Sequence, residues 1–264
     1  MYGIIGGSGV CDPEMLDDAR AREVTTPYGG VSVYTGIIGS KDVAFLPRHG
    51  QGHSVPPHRV NYRANIWALK SLGVTRVIGT SAVGSLRKDV PPGTYVVLSN
   101  FLDFTSGRPS TFFEGTGSTS GDDAVVHIDV TEPYCPQLRG ILLRSGEALG
   151  LGMADSGVYV CTPGPRFETS AEIRMFAQLG GDVVGMTNVP EVVLAREAEI
   201  CYASVAMVTN YAAGISSDKL THAEVLDIMG QNIASIKELI LHTVPAIPET
   251  RSCPCPTLLM GAKG

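Results

Sequence analysis

Polar residues and glycines follow several apolar, strand-like runs of this sequence. The run Tyr202–Val208 ("YASVAMV") stops at Thr209 and then presents the uncharged amide of Asn210. In α/β proteins, binding groups lie where strand ends meet loops. An amide both donates and accepts hydrogen bonds without carrying charge. Asn210 is therefore a candidate ligand-binding residue, although an Asx turn is the structural alternative.

Two glycine-rich loops have residues suited to an anion. "IIGGSG" offers successive backbone N–H groups and the Ser8 hydroxyl. It lacks the G-x-G-x-x-G spacing of a dinucleotide site, and an ordinary tight turn is the alternative. "LPRHGQGHSVPPH" places Arg48, His49, His53 and His58 together. An Arg-His pair suits an oxyanion, because a guanidinium grips two oxygens at once. Zinc fits this loop less well, because no histidines are paired at helical spacing and no cysteine or acid is close.

Hydroxyl groups also end two further strand-like runs. "GTSAVGS" contributes Thr80, Ser81 and the Ala82 amide, and "VGMTNVPE" contributes Met186 and Thr187. Hydroxyls at strand ends are common and mostly structural, so neither motif is specific alone. Three such loops converging on one point would form an anion site.

The overall charge limits the choice of partner. The chain has 264 residues, a formal net charge of −6 and an isoelectric point of about 5.5. This acidity argues against nucleic acid or an anionic membrane as the main partner, so local cations and amides must meet any phosphate. The sequence has no membrane-length apolar run, and its start lacks a basic n-region and a cleavage site. We expect a cytoplasmic protein.

Apolar strand-like runs alternate with helical patterns along the chain. Helical spacing covers residues 61–73 and 136–149, and capping boxes begin helices at Thr169 and Thr221. This alternation predicts an α/β fold with a mixed, mostly parallel sheet and helices on both faces. We expect one domain over residues 1–250, followed by a tail over residues 251–264.

Six cysteines divide into two groups. Cys11, Cys135, Cys161 and Cys201 are scattered among apolar neighbours, which predicts buried thiols. The tail motif "RSCPCP" places Cys253 and Cys255 in a C-x-C pair. This pair could close a strained disulfide, hold a metal, or stay as two free thiols in a solvated tail.

Motifs along nearly the whole chain resemble the methylthioadenosine phosphorylase and trimeric purine nucleoside phosphorylase family. They are "IIGGSG", "RHGQGH", "VNYRANIWALKSLG", "GTSAVGSL", "TEPYCPQLR", "GPRFET", "GMTNVPEVVLAREAEICYAS" and "VTNYAAG". The resemblance implies a single nucleoside-phosphorylase domain that works as a homotrimer or a dimer of trimers. It also implies no metal and no organic cofactor, with inorganic phosphate as a co-substrate.

The resemblance also assigns roles to individual residues. Phosphate would be bound by Ser8, Arg48, His49, Ser81, Ala82 and Thr187, with His53 near the phosphate or sugar. The nucleoside would be bound by Phe167 against the purine, Met186 under the ribose, Asn210, Tyr211 and Ala212. His127 would contact the neighbouring subunit. The resemblance makes Asn210, His49 and Arg48 the candidate catalytic residues.

Three positions depart from the adenine-specific branch of that family. Asn210 and Ala212 replace its aspartates, Glu168 replaces its serine, and His222 replaces a small apolar residue. A carboxylate accepts from the N1–H of a 6-oxopurine and an amide donates to O6 or N7, whereas adenine presents the opposite edge. A solvated acid before the capping box is the structural alternative for Glu168. His222 resembles a histidine that bonds the 5′-hydroxyl of ordinary nucleosides.

These residues predict phosphorolysis of inosine or guanosine to a free purine and ribose 1-phosphate. The alternatives in the same family are phosphorylases of S-methyl-5′-thioinosine and, less favoured by Asn210 and Glu168, S-methyl-5′-thioadenosine. A hydrolytic nucleosidase and a non-catalytic purine-binding scaffold are the remaining alternatives.

Overall fold

The computed structural model describes residues 1–7, 10, 13–119, 122–216 and 222–262, and within the last helix the side chains of residues 222–229 and 231 lie outside that description. The described residues form five α-helices: α1 Tyr62–Ser71, α2 Pro136–Ala148, α3 Ser170–Gln178, α4 Asn188–Glu197 and α5 His222–Ala246. They also form eleven strands: β1 Tyr2–Gly6, β2 Asp17–Thr26, β3 Gly29–Ile38, β4 Lys41–Pro47, β5 Arg76–Ser85, β6 Tyr95–Val97, β7 Asn100–Asp103, β8 Met153–Ala154, β9 Val158–Cys161, β10 Val183–Gly185 and β11 Cys201–Tyr211.

All eleven strands belong to one mixed sheet. Its main path runs β2-β3-β4-β1-β5-β10-β9-β7, and β11 branches from β5 toward β6 and β8. Parallel pairs join β1 to β4 and β5, β11 to β5, β9 to β10 and β7, and β6 to β8. The remaining four pairs are antiparallel. The predicted mixed, mostly parallel α/β sheet is confirmed.

Alternate residues of the central strands face two different apolar cores. Ile5 and Val77 pack in one core with α1 and α4 side chains, such as Ile66 and Val192. On the other face of the sheet, their neighbours Ile4 and Ile78 join a core with α2 and α5, as the period of two in a strand requires. Helices therefore cover both faces, which explains why the central strands are apolar throughout.

The sequence signals that start and end helices act as predicted where the structure describes them. The Asn61 side chain accepts from the Ala64 N–H at the start of α1, and Gly73 after its end has φ of +78°. At α3, Thr169 and Glu172 form the reciprocal capping box. The second predicted box, at Thr221, lies outside the described residues.

Three features of the fold differ from what the sequence patterns indicate. The charged run "DDARAREVTT" has no apolar alternation that predicts a strand, but it forms the exposed strand β2, which pairs with β3. The apolar run "TYVVLSNFLDF" predicts a single strand, but it divides into β6, which pairs with β11, and β7, which pairs with β9. The C-terminal tail is packed rather than solvated, since Cys255 is buried and Leu258 contacts the core.

Within the described ranges, no helix combines the length and apolar character that crossing a bilayer requires.

Candidate active site

Strand β5 brings several of the predicted site residues together. Its neighbours β1 and β11 run parallel to it, so Ile5 lies beside Gly79 and Asn210 lies beside Gly84. The adjacent β10 runs antiparallel, with Val184 beside Gly84. Residues after β1, along the second half of β5 and after β11 therefore meet at one edge of the sheet.

A buried ion pair occupies the floor of this region. The Arg48 Nε and Nη2 atoms donate to the two Glu191 carboxylate oxygens at 2.6 and 2.7 Å, and Arg48 Nη1 donates to the Thr80 carbonyl at 2.7 Å. The Tyr202 hydroxyl donates to Glu191 at 2.6 Å. Burial lowers the pKa of Arg48, but the Glu191 carboxylate outweighs burial and holds this pKa above its ordinary value.

This pair changes how Arg48 can meet an anion. Glu191 occupies the Nε–Nη2 edge of the guanidinium, so a second oxyanion has only the remaining N–H bonds of Nη1 and Nη2. The sequence alone predicts that the Arg48 guanidinium binds two oxygens of an anion at once. The structure instead makes Glu191 the fixed partner that orients it.

The first glycine loop lies directly against this ion pair. The Gly7 N–H donates to the Thr80 Oγ1 at 3.1 Å. A Cβ atom at Gly7 would lie 2.5 Å from the Thr80 carbonyl oxygen and 2.6 Å from Arg48 Nη1, so only glycine fits this close approach. Ser8, the predicted phosphate ligand, lies outside the described residues.

Ser81 supplies a buried hydroxyl that is ready for a ligand. The Ser81 side chain is 6% exposed, and its Oγ has no hydrogen-bond partner within the described part of the chain. A buried hydroxyl without a partner costs stability, so such groups mark places where a ligand or water completes the bonding. Ala82 follows on β5 and is half-buried.

His49 is buried and held in one tautomer. Its Nδ1 lies 2.8 Å from the Val55 carbonyl, which can only accept, so Nδ1 carries a proton. Burial, followed by the charge of Arg48, lowers the pKa of His49 to about 4. Neutral His49 therefore presents Nε2 as an acceptor. Its ring stacks at 4.2 Å, centroid to centroid, on the exposed His53.

Thr187 and Met186 connect the phosphate side to the neighbouring turn. Thr187 is the N-cap of α4 and is buried, and its N–H donates to the Tyr159 hydroxyl at 3.2 Å. The Met186 sulfur packs on Gly164, where a Cβ would lie 2.5 Å away. Gly164 has φ of +65° and begins the turn that presents Phe167 and Glu168.

Glu168 lines an open cleft and is held by one hydroxyl. Thr162 Oγ1 donates to the Glu168 carboxylate at 2.6 Å. The cleft has a volume of about 240 Å³, and its walls include Phe104, Gly164 and Phe176. Phe167, at 44% exposure, stands at the surface beside it. The Glu168 carboxylate is thus oriented and half-buried rather than freely solvated.

A β-bulge aims Asn210 at this region. The pairing of β11 with β5 shifts between Val208 and Asn210, so Thr209 is the extra residue that turns the strand end. The Thr209 hydroxyl donates to Asn210 Oδ1 at 2.8 Å, and Asn210 Nδ2 donates to the Tyr211 carbonyl at 2.9 Å. The second N–H of Asn210 Nδ2 has no hydrogen-bond acceptor among the described residues.

The loop after Asn210 contacts the turn that carries Glu168. Ala212 is buried with Ile173 and Phe176 of α3. A Cβ at Gly214 would lie 2.8 Å from the Ser170 Cβ. Tyr211 is half-buried, and its hydroxyl donates to the Lys88 carbonyl at 3.1 Å. The amide at 210 and the carboxylate at 168 are therefore carried by two segments in contact.

Two predicted residues have positions that leave their roles open. His127 is exposed, and its backbone N–H donates to the Ala262 carbonyl at 3.0 Å. His222 is the first residue of α5, but its side chain lies outside the described residues.

Sequence reasoning missed three residues that position the site. Glu191 fixes Arg48 and Thr162 fixes Glu168, as described above. Arg108 donates to the carbonyls of Val189 and Pro163 at 2.7 and 2.9 Å, which ties α4 to the turn before Glu168. A carboxylate inside the apolar run "VPEVVLA" was the available signal for Glu191, whereas no local pattern marked Thr162 or Arg108.

Comparison with known proteins identifies the family. A family model described as the phosphorylase superfamily matches residues 1–245. The 6-oxopurine nucleoside phosphorylase of Pyrococcus furiosus is 54% identical, covering 99% of this chain and 98% of its own length. The probable S-methyl-5′-thioinosine phosphorylase of Methanopyrus kandleri is 50% identical, with the same coverage. A methylthioadenosine phosphorylase of Schistosoma mansoni, solved with adenine, superposes with a TM-score of 0.94 at 36% identity, covering 99% of this chain and 98% of its own.

The chain belongs to the phosphorylase superfamily. The family expected from the sequence motifs is confirmed, as are the nucleoside-phosphorylase fold and the enzyme class of pentosyltransferase. The relatives' names cover both the main and the alternative reactions predicted from the sequence.

Proposed function

We propose that this enzyme catalyses phosphorolysis of 6-oxopurine nucleosides, inosine and guanosine, to free purine and ribose 1-phosphate in purine salvage. One observation carries the proposal. A carboxylate fixed by a hydroxyl, Glu168, and an amide placed by a β-bulge, Asn210, are carried by two touching segments, and the strand of Asn210 pairs with β5, which carries the buried Ser81. The named relative from Pyrococcus furiosus supports the same substrate class.

The base side supplies the hydrogen bonds that a lactam edge needs. Since Thr162 donates to one oxygen of Glu168, the carboxylate keeps lone pairs that can accept from the N1–H of hypoxanthine or guanine. The Asn210 Oδ1 is bonded to Thr209 and one N–H of Nδ2 donates to the Tyr211 carbonyl, so the second N–H of Nδ2 would be the donor for O6 or N7. Adenine would place its N1 lone pair against the carboxylate, at a cost of about 1–3 kcal/mol.

On the phosphate side, the phosphate nucleophile meets no net positive charge from Arg48. Glu191 compensates Arg48, so the anion would depend on the remaining guanidinium N–H bonds and the Ser81 hydroxyl. We propose Ser8, Ala82 and Thr187 as the other phosphate ligands. Neutral His49 would accept a hydrogen bond from a protonated phosphate oxygen, which orients the anion.

The reaction needs no protein nucleophile. The bond between the purine N9 and C1′ of the sugar loosens, and its electron pair leaves with the purine. A phosphate oxygen then forms the new bond to C1′ from the opposite face of the sugar. Asn210 stabilises the charge on the departing base, while Met186 lies under the ribose and Phe167 against the purine. Positioning and electrostatic stabilisation supply the rate.

A second candidate substrate is S-methyl-5′-thioinosine. The 50% identical relative from Methanopyrus kandleri has this activity in its name, and the same base contacts would serve it. By its resemblance to a histidine that bonds the 5′-hydroxyl, His222 favours a 5′-hydroxyl, because a methylthio group offers little to an imidazole. S-methyl-5′-thioadenosine is opposed by Glu168 and Asn210.

Initial rates with five nucleosides, each with and without phosphate, test the proposal. We expect inosine and guanosine to react faster than methylthioinosine, and all three to react faster than adenosine and methylthioadenosine. Each purine released should be matched by one equivalent of sugar 1-phosphate. Faster turnover of the 6-amino nucleosides would overturn the base assignment. Release of base without phosphate would indicate a hydrolase instead.

The quaternary structure and cellular location remain predictions. We propose a homotrimer or a dimer of trimers, in which the exposed His127 contacts the neighbouring active site. Light scattering coupled to size exclusion would distinguish three, six or one chain per particle, and a monomer with full activity would contradict the shared site. The expected cytoplasmic location and the absence of a metal or organic cofactor at the nucleoside site also remain predictions.

A further inference from the structure

Four cysteines far apart in sequence converge at the end of the sheet opposite to Asn210. Cys135, Cys201, Cys253 and Cys255, named here the four-cysteine cluster, have sulfur atoms that all lie within 4.8 Å of one another. The sequence left open a disulfide or a metal for the last two. It did not connect them with Cys135 or Cys201.

The fold fixes the first two cysteines through their backbones. Cys201 is the first residue of β11, and its N–H donates to the Thr75 carbonyl at 3.0 Å. Cys135 is the N-cap of α2, and its N–H donates to the Tyr202 carbonyl at 2.7 Å. The start of a sheet strand and the start of a helix thus hold these sulfurs side by side.

The tail that carries the other two is docked by bonds that involve no sulfur. The Gln137 amide donates to the Thr250 carbonyl and accepts from the Ser252 N–H, both at 3.3 Å. Arg251 donates to the Glu199 carbonyl at 3.0 Å. These contacts place Cys253 and Cys255 against the other pair whether or not their sulfurs bond to anything.

We propose that the four-cysteine cluster binds one Zn²⁺ ion as a tetrathiolate site. Four thiolates at about 2.3 Å from a tetrahedral zinc lie about 3.8 Å from each other. The sulfurs here are already within 4.8 Å, and Cys201 and Cys253 are 3.3 Å apart. Shifts of about an ångström or less would close the tetrahedron around an ion.

The surroundings suit a buried thiolate site. Cys135, Cys201 and Cys255 are each at most 2% exposed and lie within the apolar core that α2 and α5 cover. Cys135 lies at the N-terminus of α2, where the helix dipole favours negative charge. Each neutral thiol that joins the ion releases one proton, and no electron is transferred.

The arrangement of the sulfurs favours one centre over two pairs. A disulfide brings two sulfurs to about 2.05 Å and separates them from the rest. Here each of the four sulfurs lies within 4.8 Å of the other three and all four thiols are free, so no unique pairing exists. Four mutually close thiols from three segments instead match the ligand set that zinc prefers in structural sites.

Such a site would be structural. It would join the tail to the first residue of β11, the strand whose other end carries Asn210, and to the first turn of α2. Metal loss should therefore lower stability and release the tail, whereas the nucleoside site lies at the far end of the strand.

The protein, purified with a reductant and without chelator, would be assayed for zinc by inductively coupled plasma mass spectrometry. We expect about one zinc per chain, and we expect Cys253→Ser to lose most of it. The matched control is Cys161→Ser, which replaces a buried cysteine outside the cluster and should keep the metal. Equal zinc content in both variants would overturn the proposal.

Two measurements on the unsubstituted chain avoid the question of whether a variant folds. Exchange of zinc for Co²⁺ should give thiolate-to-cobalt charge-transfer bands and the visible bands of a tetrahedral ion. Thiol titration in denaturant with a chelator should find all six cysteines reduced. Only two reactive thiols would indicate two disulfides and contradict a metal site. Six thiols with neither zinc nor the cobalt spectrum would contradict it equally.

Discussion

The phosphate side and the base side of the site are built differently. On the phosphate side, Arg48 is 2% exposed and Glu191 is fully buried, and they are joined by two bonds of 2.6 and 2.7 Å. On the base side, Glu168 stands at an open cleft, held by the single hydroxyl of Thr162, and Phe167 is 44% exposed. The difference suggests that the phosphate chemistry depends on a rigid core. Base selectivity depends on a few adjustable side chains.

Glu191→Gln should have the largest effect, because it removes one partner of a buried ion pair. Arg48 would keep its buried charge without compensation, which costs about 3–5 kcal/mol. We expect the free energy of unfolding in urea to fall by this amount, and the KM for phosphate to rise as Arg48 loses its orientation. The matched control is Glu172→Gln, whose carboxylate pairs with the exposed Arg166 and should contribute about 1 kcal/mol or less. Equal losses in the two variants would contradict the contrast between buried and exposed pairs.

Asn210→Asp tests the base side alone. The acid would accept from a 6-amino group and repel O6, so we expect the ratio of adenosine to inosine turnover to rise by about tenfold to a hundredfold. The KM for phosphate should change little, because Asn210 lies on a different segment from Arg48. The base assignment is wrong if adenosine turnover stays undetectable while inosine turnover is unaffected.

His49 gives the phosphate side a pH dependence of stability. Its pKa is about 4 in the folded chain, below the ordinary value of 6.5, so the unfolded chain binds more protons between these pH values. Stability is therefore lost as pH falls through this window, by about 2 kcal/mol between pH 7 and pH 5. Urea unfolding at the two pH values measures the loss. His49→Gln keeps a donor for Val55 and should lack this component, so an identical pH slope in the variant would refute the assignment.

Thr162→Val should have the smallest effect and should be confined to the base side. Without the hydroxyl, Glu168 loses the bond that orients it, and the preference for inosine over adenosine should fall by about tenfold. Thr162→Ser retains the hydroxyl and should restore the preference. A change in the phosphate KM of Thr162→Val, with the preference intact, would indicate a general packing defect instead.

The sequence predicted elements better than it predicted contacts. The apolar run before Asn210 and the capping box at Thr169 are local patterns, and both led to correct elements. Arg48 bonds to Glu191, which is 143 positions away, and Glu168 bonds to Thr162, which is 6 positions away. Only the fold brings these partners into contact. Likewise, Cys135 and Cys201 meet because a helix start and a strand start are adjacent, which cysteine spacing does not encode. The family resemblance supplied candidate site residues that local patterns do not indicate, and their roles stay predictions.

A crystal structure with hypoxanthine and phosphate bound would test the central claim most directly. We predict that a Glu168 oxygen accepts from the purine N1–H and that Asn210 Nδ2 donates to O6 or N7. We also predict that the phosphate lies against Ser81 and the outer N–H bonds of Arg48. A purine bound with both residues 168 and 210 directed away from it would contradict the claim.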